Sequence, residues 1–99
     1  MMISPEPIDA VQVPQAVHQP LGRMHKGFVG HVFRIQPVDH SATLPAEEME
    51  RRLIELGFVE GAKVVILHEG LFGRDPIAVR VNGSTVALRR REAMAILVS

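Results

Sequence analysis

The chain lacks cysteine, tryptophan and tyrosine, and four phenylalanines are all it has of Phe, Trp and Tyr. Without cysteine there is no disulfide framework, no thiolate metal site and no thiol nucleophile, which fits a reducing compartment. Without Trp or Tyr, the aromatic groove that reads proline-rich peptides is hard to build. Net charge is missing too, since eleven Lys and Arg offset eleven Asp and Glu. That balance argues against a general attraction to nucleic acid or anionic lipid, although a local patch survives such an average. No apolar run approaches the roughly 18 residues of a membrane span. The N-terminus does not place an apolar stretch behind a basic one, so no secretory signal is read. A cytoplasmic chain that does not insert into the membrane is the expectation.

Catalytic patterns are also wanting. There is no Ser-His-Asp arrangement, no phosphate-cradling glycine loop and no carboxylate pair in a plausible pocket, so neither enzyme nor cofactor is expected. The histidines at 18, 25, 31, 40 and 68 include no pair at helical spacing and no carboxylate that completes a ligand set. No metal site is assigned within one chain. His31 and His68 are expected in partly buried structural roles.

What is present is one domain behind a tail. Residues 1–20 hold four of the seven prolines and no Lys or Arg, and read as an extended or disordered segment. From Leu21 the texture changes. A strand is predicted over 30–38, followed by a polar connection over 38–43. Pro45 suits a first helical turn, with Glu47 and Glu48 at the positive end of the dipole. Glu47 with Arg51, and Glu48 with Arg52, form acid-before-base pairs worth about 0.2–0.5 kcal/mol each. Ala46, Met49, Leu53 and Leu56 make one buried stripe. Gly57 follows Leu56 as a left-handed stop, and Phe58 beyond it can pack on Leu53, the Schellman pattern. Gly61 supplies the positive φ of a turn into the next strand.

Residues 63–68 read as a strand covered on both faces, and 69–76 as a loop. Asn82-Gly83 between alternating runs signals a type I′ hairpin. That turn sets Val81 against Ser84, Val79 against Val86 and Ile77 against Leu88, which gathers the large aliphatics on one face. A short helical turn over 89–95 and a closing strand at 96–98 complete the chain. Five strands and one early helix predict a mainly β, small, partly closed antiparallel barrel.

These residues in this order resemble the FeoA family, small cytoplasmic accessory proteins of bacterial ferrous-iron uptake. The resemblance runs from Leu21 through Met24, Gly27, Gly30, Val32 and Ile35, then Arg52-Leu53, Leu56-Gly57 and Gly61. It continues through Gly73, Asp75-Pro76-Ile77, Gly83, Ala87-Leu88-Arg89 and Glu92-Ala93 to Ile96-Leu97-Val98. It implies an SH3-like domain over 21–99 and docking on the GTP-binding domain of FeoB, the ferrous-iron permease. The chain departs from the family pattern with Leu71 and Glu60 where prolines are usual, and with an extra residue, Arg74.

Leu71 and Phe72 are the candidate docking residues, because two bulky apolar groups on a loop exceed what solubility asks for. The alternative is that the loop folds back and buries them. Arg74 is a candidate finger towards phosphoryl charge, or a solvated loop arginine paired with Asp75. Arg89-Arg90-Arg91 is the only dense basic run. It either meets phosphate or an acidic partner, or satisfies Glu92 locally, with Arg89 expected to be the more structural of the three. Two other readings stand beside the adaptor. One is a metal-responsive module like the SH3-like end of iron-dependent repressors, and the other a small nucleic-acid-binding barrel.

Overall fold

The computed structural model describes residues 18–37 and 45–99. The elements are β1 (Gln19–Pro20), a 3-10 turn (Leu21–Arg23), β2 (Val29–Ile35), α1 (Ala46–Glu55), β3 (Lys63–Phe72), β4 (Asp75–Val81), β5 (Ser84–Leu88), α2 (Arg90–Ala93) and β6 (Ile96–Val98). All strand pairings are antiparallel, in the order β1-β6-β2-β3-β4-β5. The barrel curls because β2 changes partner along its length. Val29, Gly30 and His31 pair with β3, while Val32, Arg34 and Ile35 pair with β6 across a bulge.

Three boundaries differ from the sequence reading. The first long strand stops at Ile35 instead of Val38, and the connection expected over 38–43 falls outside the described residues. β1, a two-residue strand on β6, is too short to leave a periodic pattern. The third difference matters most: β3 runs on to Phe72, and β4 starts at Asp75. The expected loop is thus a hairpin with a two-residue turn.

The Asn82-Gly83 hairpin has the anticipated register, with Val81 opposite Ser84, Val79 opposite Val86 and Ile77 opposite Leu88. Both turn residues have positive φ, 50° and 80°. Ile77, Val79, Val81 and Leu88 are buried, and Val86 packs against them partly covered. β3 contributes Val64 and Ile66 to the same core, but Val65 and Leu67 on its other face are half-exposed. The strand is therefore covered fully on one face only. His31 and His68, expected to be partly buried, are exposed.

Pro45 is the N-cap of α1, one residue before the helix proper. At the other end the Phe58 N–H donates to Leu53 O at 3.0 Å, and the Gly57 N–H to Ile54 O at 2.9 Å. Those are the two Schellman bonds, closed around Gly57 at φ 111°. Leu53 and Phe58 are both buried, so the stop is also a core contact. Leu56 is half-buried at the helix end, and Gly61 takes φ 88° in the turn before β3. Asn82 Nδ2 donates to Gly57 O at 3.2 Å, which ties the hairpin turn to the helix stop. The helix-surface pairs read from spacing give way to a longer reach: Arg52 Nη1 meets Glu92 Oε2 at 3.2 Å, across to α2.

Candidate docking surface

The β3–β4 hairpin projects the most exposed large apolar residues among the described residues, Leu71 at 93% and Phe72 at 88%. Successive strand residues point to opposite faces. The hairpin end thus carries one apolar prong on each side, and neither is folded back into the barrel. Phe72 pairs with Asp75 around a Gly73-Arg74 turn in which both residues have positive φ, 67° and 60°. Glycine takes that conformation freely, but an arginine in it is under strain. Gly70 serves another end: a Cβ there would lie 2.1 Å from Asp75 O, so only glycine lets the two strands close.

The base of this hairpin is held by Arg90, half-buried in α2. Its Nη1 donates to Gly22 O at 3.0 Å and to Met24 O at 2.6 Å. Its Nε donates to the carbonyl of strained Arg74 at 2.8 Å, and Nη2 to Glu69 Oε2 at 2.6 Å. Its own backbone N–H, at a helix start without an intrahelical partner, donates to Asp75 Oδ1 at 2.9 Å. One planar guanidinium thereby joins the N-terminal turn, both sides of the hairpin and α2, a task suited to its rigid fork of donors.

Glu69 sits at the centre of that arrangement. Desolvation works to raise its pKa. Hydrogen bonds from His25 and from the Lys26 backbone, with the charges of Arg90 and Arg74, prevail and hold the carboxyl below its ordinary 4.5. His25 Nδ1 lies 3.3 Å from Glu69 Oε2.

Leu71, Phe72 and Arg74 thus share one tip. Arg74 is exposed, and Asp75, its expected partner, is engaged by Arg90 instead. Arg89 is exposed at the start of α2, where its backbone N–H donates to Glu92 Oε1 at 2.9 Å. The structural arginine of the run is Arg90, not Arg89 as expected. A pair of acids, Glu69 and Asp75, flanking an apolar tip with one cation calls for a second cation from elsewhere, but does not choose among the three arginines. A shallow depression of about 210 Å³ lined by Lys63, Val65, Arg80, Asn82 and Gly83 lies at the other end of β4. Leu53, Leu56, Gly57, Phe58, Gly61, Asn82 and Gly83 serve the fold. Asn82 and Gly83 are roughly 20 Å from the tip by the length of β4.

Among the described residues no three of His, Cys, Asp or Glu converge as metal ligands, and no helix is long and apolar enough to cross a membrane.

The FeoA domain model matches residues 19–99. Stenotrophomonas maltophilia FeoA, solved as a zinc complex and described as an SH3 domain protein, is 32% identical over 80% of this chain and 87% of its own, with a TM-score of 0.65. FeoA from Chlorobium tepidum is 36% identical over 81% of this chain and 68% of its own, with a TM-score of 0.63. A manganese-dependent transcriptional repressor is 26% identical over 83% of this chain but 41% of its own length, with a TM-score of 0.65. No curated protein sequence matches the chain significantly. The barrel is SH3-like.

Proposed function

Because the chain belongs to the FeoA family, we propose that it is a non-enzymatic accessory protein of ferrous-iron uptake. It docks through Leu71 and Phe72 on the cytoplasmic GTP-binding domain of FeoB, and that contact brings it to the inner face of the membrane. The observation that carries this reading is the placement of two large, almost fully exposed apolar side chains at the end of a hairpin that Arg90 ties, through the Arg74 carbonyl and the Glu69 carboxylate, to the carbonyls of Gly22 and Met24. Exposed apolar groups on a rigid support lose little conformational freedom on binding, which is how a few anchors dominate an interface. The role suggested for the Stenotrophomonas protein, a ferrous iron transport activating factor, agrees with it.

Titration of the full chain with the FeoB GTP-binding domain, loaded in turn with GDP and a non-hydrolysable GTP analogue, tests the reading. Micromolar binding that L71S/F72S weakens at least tenfold is expected. Absence of binding at high micromolar concentration in both nucleotide states contradicts it.

The likeness to a manganese-dependent repressor favours a second reading, a regulatory module that works beside a DNA-reading partner. This chain spans less than half of that repressor. Co-purification with such a partner, in place of FeoB, is what that reading expects.

A further inference from the structure

The charge around the tip is lopsided in a chain that is neutral overall. Through Arg90, three segments meet at this end: 22–26, 69–75 and 89–92. They hold six Lys or Arg against three carboxylates, in a chain with eleven of each. Each of those carboxylates is already engaged inside the molecule. Glu69 takes Arg90 and His25, Asp75 takes the Arg90 N–H, and Glu92 takes Arg52 and the Arg89 N–H. Arg23, Lys26, Arg74, Arg89 and Arg91 are all exposed, and none of them forms an ion pair among the described residues. Two bare apolar prongs therefore share this end of the barrel with a collar of cations, while the acids among them are already engaged within the molecule.

From this we infer the chemistry of the partner surface: an apolar pocket on a protein, rimmed by carboxylates. The inference rests on the tip-docking reading and adds to it. The prongs supply burial, while the collar steers the approach and disfavours pockets with a neutral or basic rim. A protein pocket suits the prongs better than a lipid surface does, because they point to opposite faces of the hairpin and can be enclosed from both sides. Arg74 lies in the turn itself, and Lys26 on the segment whose backbone hydrogen-bonds Glu69, two residues before Leu71, so these two cations are the ones tested.

The test uses the full chain and the FeoB GTP-binding domain at 50 and 300 mM NaCl, with K26Q/R74Q, K26R/R74K and F72S as variants. The expected result is a Kd at least tenfold weaker at the higher salt. K26Q/R74Q should weaken low-salt binding about five- to tenfold and flatten the salt dependence, with an unchanged melting temperature, and K26R/R74K should restore both. F72S should weaken binding at either salt. Binding that F72S abolishes but that ignores salt and K26Q/R74Q overturns the acidic rim and leaves apolar docking intact. No binding by the unmodified chain overturns the docking reading itself. Vesicles of phosphatidylcholine with phosphatidylserine are the third arm. Retention of the chain on them, lost in K26Q/R74Q and in F72S, contradicts a protein pocket in favour of a membrane surface.

Discussion

Arg90 Nη2 lies 2.6 Å from Glu69 Oε2, with each side chain only 17% exposed. The same guanidinium spends its other donors on carbonyls of Gly22, Met24 and Arg74. Removing it takes the donor from three carbonyls, and two of them, on buried Gly22 and on half-buried Met24, lie in part-buried bonds. Buried acceptors without donors cost about 1–3 kcal/mol. R90A should lower the urea midpoint accordingly and raise amide exchange at residues 70–74 more than in the Asn82 hairpin. R90K should recover only a part, because a lysine is a point charge that cannot bridge four acceptors. Equal protection of the tip in R90A and the unmodified chain contradicts the brace.

Acid should loosen the same joint. Glu69 has a lowered folded-state pKa, so as pH falls the unfolded chain takes up this proton before the folded one does. Its contribution is complete above the unfolded value and is lost as pH drops through the folded value. The difference in unfolding free energy between the unmodified chain and E69Q should be constant down to about pH 5 and shrink below it. A difference that stays flat to pH 3 contradicts the assignment.

Gly57 closes the Schellman stop at φ 111°, and a Cβ there would lie 3.1 Å from Asn82 Nδ2. G57A should destabilise the fold by about 1–2 kcal/mol, the cost of a left-handed conformation for an L-residue. Chemical denaturation reads it. The close Asn82 contact should make G57A and N82A non-additive.

Leu71 and Phe72 should be dispensable for folding. Nearly bare in the folded state, they lose little burial when replaced, so L71S/F72S should shift stability by no more than about 0.5 kcal/mol. A larger loss on thermal unfolding would mean that the tip packs against the barrel.

How much of this could be read from the residues depends on whether the cause is local. The Asn82-Gly83 register and the Gly57 stop were legible because each is fixed by neighbours within a few positions, and a second local pattern agreed with each. The tip hairpin reads as a loop in the sequence because Gly70, like Gly73, looks like a turn residue. The reason for Gly70 is the close passage of Asp75 from the opposing strand, which leaves no trace in its neighbours. Arg89 and Arg90 are likewise alike in sequence. Which of them turns inward is set by the direction in which the chain enters α2, and the carbonyls that Arg90 binds come from Gly22, Met24 and Arg74, up to 68 positions away. The sequence leaves Leu71 and Phe72 either exposed or folded back, since the length of β3 decides between the two.

The central claim, that this barrel meets its partner at the tip braced by Arg90, is most directly tested by backbone NMR of the full chain during addition of the FeoB GTP-binding domain. The account expects the largest amide perturbations at Gly70 to Arg74, with Asn82 and Gly83 at the far end of β4 unmoved. Perturbations centred on Lys63, Arg80 and Asn82, with the tip unchanged, would contradict it.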